Sequence, residues 1–133
     1  MQEVETRPGA GLRKNRRALL VDDEQEYVEN LSERMALDGI DSKVAFTAEE
    51  GLVALENDPP DVLVLDLRMP GMGGMELLDR VRKDDPGTQV IILTGHGSER
   101  AARGGIEEGA YDYLSRPVDE GGLLQAVGRA CER

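Results

Sequence analysis

A chain of 133 residues has the size of one ordinary domain, long enough to bury a core and too short for two. Its formal net charge of −11 argues against direct binding to a nucleic-acid backbone, which depends on Lys and Arg displacing condensed counterions. No run approaches the roughly 20 apolar residues that span a bilayer, no apolar stretch opens the chain as a secretory signal would, and a single cysteine, Cys131, excludes an internal disulfide; the expected setting is soluble and cytoplasmic.

Met1 to Arg16 carry Pro, Gly and mixed charges without hydrophobic period, so residues 1–16 are expected to form a flexible N-terminal tail and residues 17–133 one folded domain. From there short apolar runs alternate with amphipathic stretches. Strands are expected at Ala18–Val21, Ser42–Ala45, Val62–Leu65, Val90–Leu93 and Tyr111–Leu114, and helices at Gln25–Leu37, Ala48–Asn57, Gly74–Lys83, Ser98–Glu108 and Asp119–Glu132. The unbroken runs Val62-Leu63-Val64-Leu65 and Val90-Ile91-Ile92-Leu93 suit strands covered on both faces. Thr47 followed by Glu50 has the spacing of a capping box and sets the start of the second helix. Gly104 and Gly105 weaken the stretch Ser98–Glu108, each by about 1 kcal/mol relative to alanine. Five strands and five helices in strict alternation give an α/β fold: a doubly wound, five-stranded parallel sheet in the flavodoxin-like order 2-1-3-4-5. Ligands of such folds bind outside the carboxyl ends of the strands.

The polar residues collect at that rim. The first strand runs into Asp22, Asp23 and Glu24, the third into Asp66, the fourth into Thr94, and the fifth into Arg116 and Pro117. Two adjacent carboxylates and a third from a neighbouring strand repel by a few kcal/mol per pair at an effective dielectric near 20, so the arrangement calls for a cation. Magnesium, which takes oxygen ligands and keeps several waters, fits Asp22, Asp23 and Asp66. Calcium would want a dedicated loop of other spacing, and zinc is disfavoured by one histidine and one cysteine far apart. Taken alone, Asp22 and Asp23 read more readily as caps of the following helix, and it is their combination with Asp66, Thr94 and Arg116 that reverses this.

The stretches ALLVDDE, DVLVLDLRMPGMGG, VIILTGHG and GAYDYLSRP resemble, in order and spacing, the four signature segments of response-regulator receiver domains of bacterial two-component signalling. The resemblance covers about Arg17 to Arg133. It implies that Asp66 is the phosphoacceptor, taking a phosphoryl group from phosphohistidine on a sensor histidine kinase or phosphotransfer protein, or from a small acyl phosphate. It further implies a magnesium ion held by Asp22, Asp23, Asp66 and the backbone carbonyl of Arg68. Thr94 would donate a hydrogen bond to a phosphoryl oxygen, and Tyr113 would be the aromatic that follows its shift, the two forming the switch. Arg68 and His96 would tune the lifetime of the phosphoryl group, although a solvated loop histidine is an equal reading for His96. The bond before Pro117 is expected to be cis.

Arg116 departs from the pattern, which has lysine there. Its planar fork keeps the charge but not the shape, so phosphorylation is expected to survive and transmission to be weakened or altered. The same resemblance places the downstream effector or output domain on the face formed by the stretch Ser98–Glu108, the last strand and the last helix, and admits a phosphorylation-linked homodimer.

Competing readings separate on residues. A phosphatase of the haloacid dehalogenase type also uses an aspartate nucleophile and magnesium, but needs a second Asp two positions on, where Arg68 stands; a turnover enzyme is therefore not expected. A flavin- or nucleotide-binding module would need a glycine-rich turn after the first strand, which instead reads Asp22-Asp23-Glu24-Gln25. A degenerate receiver, acting as a phosphorylation-independent interaction module through Arg116, is opposed by the three retained acids.

Overall fold

The computed structural model describes residues 16–66, 74–94, 112–115 and 120–132. Among them the order is β1 (Arg16–Val21), α1 (Gln25–Leu37), β2 (Ile40–Ala45), α2 (Ala48–Asn57), β3 (Val62–Asp66), α3 (Gly74–Asp84), β4 (Gln89–Thr94), β5 (Asp112–Ser115) and a fourth described helix, α4 (Glu120–Cys131). The strands form one sheet in the order β2-β1-β3-β4-β5, every neighbouring pair parallel. This is the expected doubly wound arrangement. The helix expected at Ser98–Glu108 lies outside the described residues.

The apolar runs divide by period two into two cores. Ala18, Leu20, Val62, Val64, Ile91 and Leu93 face α1 and α4, where Val28, Leu31, Met35, Leu123 and Val127 close over them. Leu19, Val21, Leu63, Leu65, Val90 and Ile92 face the other way, toward Leu55 of α2 and Leu77, Leu78 and Val81 of α3. A strand buried on both faces has no reason to alternate in hydrophobicity, which is why these segments are continuously aliphatic. Gly51 brings α2 close to β1: a Cβ built there would lie 2.9 Å from Val21 Cγ2.

Boundaries move by one or two residues. β2 begins at Ile40 rather than Ser42, because Gly39, at φ +79°, turns the chain out of α1 and the strand pairs at once, Ile40 opposite Arg16. As the edge strand, β2 carries exposed Asp41 and Lys43, charges that discourage pairing with another chain. At the amino ends of the strands Arg17 knots three segments together. Its guanidinium donates to Asp58 Oδ1 at 2.6 Å and to the Pro59 carbonyl. Its N–H donates to Asp61 Oδ2 at 2.9 Å, and its carbonyl accepts from the Asp61 N–H at 3.0 Å.

Candidate metal and phosphoacceptor site

Strand register sets the site. Val21 pairs with Leu65 across the β1–β3 ladder, so the next residue on each strand, Asp22 and Asp66, emerges at the same level of the carboxyl-end rim. Asp66 is the last residue of β3 and pairs with Leu93 of β4. Asp22 stands just beyond β1 but is still tied to the sheet, its N–H donating to the Ala45 carbonyl at 3.1 Å. Carboxylate oxygens of Asp22, Asp23 and Asp66 lie within 4.8 Å of one another. Asp22 and Asp66 are buried, at 1% and 6% exposure, while Asp23 is open to solvent.

Capping does not explain this cluster. The N-cap of α1 is Glu24, which makes no side-chain capping bond. Asp22 Oδ1 instead accepts the Glu24 N–H at 2.9 Å, which fixes the orientation of its carboxylate. The donor set fits a hard divalent cation: three carboxylates and no sulfur or imidazole within the group, two of them desolvated and in need of positive charge.

Thr94 ends β4, its backbone paired with Ser115, one step further toward the same rim than the Asp66–Leu93 pair. Tyr113 lies in β5 opposite Ile92. The side chains of Thr94 and Tyr113, and all of Arg68, His96, Arg116 and Pro117, lie outside the described residues. Thus the structure gathers the three acids, places the backbones of the hydroxyl and aromatic candidates, and leaves the remaining four undescribed. Two of the bonds that hold Asp22, from Glu24 N–H and to Ala45 carbonyl, have no signature in the sequence, since each uses a backbone group that every non-proline residue supplies.

A family model for the response regulator receiver domain matches residues 18–128. The chain belongs to this family. Among curated receiver-containing relatives, the transcriptional regulatory protein GlrR of Escherichia coli strain K12 is 38% identical over 115 residues, covering 86% of this chain and 26% of that protein. The photosynthetic apparatus regulatory protein RegA of Rhodobacter capsulatus is 32% identical over 118 residues, covering 89% of this chain and 64% of that protein. A solved response regulator receiver domain protein from Clostridium thermocellum superposes with a TM-score of 0.84 at 34% identity, over 89% of this chain and 95% of that one. The chain therefore corresponds to the receiver segment of such regulators and spans about a quarter of the length of GlrR, 26%. Among the described residues no helix is long and apolar enough to cross a membrane.

Proposed function

We propose that residues 17–133 act as a phosphorylation-dependent switch that accepts a phosphoryl group on Asp66, with magnesium held by Asp22, Asp23 and Asp66. The observation that carries this reading is the convergence of three carboxylates, two of them buried, from neighbouring strands. An Asp66 oxygen attacks phosphorus; the P–N bond of a phosphohistidine, or the P–O bond of an acyl phosphate, breaks, and its electron pair leaves with the donor. Burial strips Asp66 of much of its water. Asp22 is held in place by its bonds to Glu24 and Ala45. Magnesium, when bound, offsets the charge that accumulates as the phosphoryl group meets a carboxylate.

Thr94 and Arg116 are the proposed partners of the phosphoryl oxygens, and Tyr113 the responding aromatic. Each chain takes up one group rather than turning over substrate. The partners proposed are a sensor histidine kinase or phosphotransfer protein upstream and an effector or output domain downstream. Arg116 keeps alive a second reading, an interaction module that works without phosphorylation.

Phosphate uptake from acetyl phosphate, with and without magnesium, in wild type, Asp66→Asn and Arg116→Lys separates the two. The expected result is magnesium-dependent uptake by wild type and Arg116→Lys and none by Asp66→Asn. A wild-type protein that takes up nothing while Arg116→Lys does would favour the second reading, and uptake persisting in Asp66→Asn would remove the acceptor assignment.

A further inference from the structure

The peptide unit joining Ala45 to Phe46, at the carboxyl end of β2, is engaged on both sides. Its carbonyl accepts from the Asp22 N–H at 3.1 Å. Its N–H donates to Glu50 Oε1, in the first turn of α2, at 2.9 Å. A carboxylate bonded to the N–H of an amide polarises that amide and strengthens the bond its carbonyl accepts, since hydrogen bonds in series reinforce one another. The relay therefore runs from Glu50 through one peptide unit to the backbone of Asp22, whose side chain is fixed in turn by the Glu24 N–H.

The pairing departs from the usual capping box, in which the acidic residue reaches back to the N-cap's own N–H. Here Thr47 performs its half, its Oγ1 accepting from the Glu50 N–H at 3.0 Å, while the Glu50 carboxylate reaches past the cap to Phe46. Thr47 thus serves α2 alone, whereas Glu50 also serves the strand end that carries Asp22. We propose that Glu50 is a positioning residue for the cation site, acting through the Ala45–Phe46 peptide to hold Asp22 at the level of Asp66.

The inference rests on Asp22 being a cation ligand. Outer partners of metal ligands change affinity by roughly 10- to 100-fold, and Glu50 acts one bond further out. Glu50→Ala is expected to weaken magnesium binding by roughly three- to tenfold. Glu50→Gln keeps an acceptor oxygen and is expected to stay within about twofold of wild type. Thr47→Ala, which lowers the thermal midpoint by removing a cap of the same helix, is also expected to stay within about twofold.

The test is a magnesium chloride titration of the full chain, followed by the backbone amide signals of residues 22–24, with melting curves recorded for each variant. Equal magnesium affinity in wild type and Glu50→Ala would overturn the inference, as would a loss in Thr47→Ala that matches the one in Glu50→Ala. If wild type itself shows no magnesium-dependent shifts, the cation site fails first. A wild-type response abolished by Asp22→Ala but untouched by Glu50→Ala sinks only the role of Glu50.

Discussion

Asp22 and Asp66 are two acidic groups, both buried and with oxygens within 4.8 Å of each other. At an effective dielectric near 20 such a pair repels by about 3 kcal/mol when both groups are ionised. Without magnesium that repulsion works against the fold, so Asp66→Asn, which keeps the shape and removes one charge, is expected to raise the metal-free stability by about 1–3 kcal/mol. A higher denaturant midpoint in the presence of a chelator is the check; an unchanged or lower one means that the carboxylates do not share a pocket as charged groups. Asp58 behaves oppositely. The hydrogen bond from the Arg17 guanidinium holds its carboxyl below the ordinary 3.8; desolvation opposes this, and the charges of Arg17 and Lys43 lower it further. A depressed value means stabilisation that is present above the ordinary value and fades as the pH drops through the folded one. The pair is partly exposed, so the effect is modest. Asp58→Asn is expected to flatten the acid limb of the stability profile, seen as a smaller fall in urea midpoint between neutral and acidic pH, and identical limbs would contradict the bond. The three site acids could be read from the sequence because each interrupts or ends an apolar run. The Arg17–Asp58 pair could not, because its members stand 41 positions apart and nothing in either neighbourhood marks the other.

At the scale of elements, the helices announced themselves by period and caps. α1 and α2 occupy the expected residues, and Thr47 caps α2 as the Thr47–Glu50 spacing implied. The strand that matched best, β3, expected at Val62–Leu65 and found at Val62–Asp66, is buried on both faces. The start of β2 was hidden because Asp41 interrupts the run after Ile40, a charge that an edge strand tolerates and a central one does not. Gly39 is the hinge on which that start depends. Its φ of +79° lies in the left-handed region, and no atom within 4 Å would meet an added Cβ, so the cost of Gly39→Ala is conformational alone. The expected loss is about 1–2 kcal/mol, visible as a lower thermal midpoint with α1 content preserved by circular dichroism. A neutral or stabilising substitution would show that the turn is not held in that conformation.

Seen whole, the molecule is a sheet with two aliphatic cores that deliver strand ends to one rim. Register converts the one-dimensional pattern into the site: pairing Val21 with Leu65 suffices to set Asp22 beside Asp66. Fold and acidic cluster were therefore legible together, since both follow from where apolar runs stop. What the sequence conceals is backbone-mediated: the bonds from Glu24 and to Ala45 that hold Asp22, and the reach of Glu50 to Phe46. The central claim is that this rim takes a phosphoryl group on one particular carboxylate. Treating the protein with acetyl phosphate and magnesium, reducing it with borohydride, which converts an aspartyl phosphate to homoserine, and sequencing the peptides by mass spectrometry reads that carboxylate directly. The account predicts homoserine at position 66, dependent on magnesium and lost in Asp22→Ala; homoserine at another aspartate, or at 66 regardless of magnesium and Asp22, would contradict it.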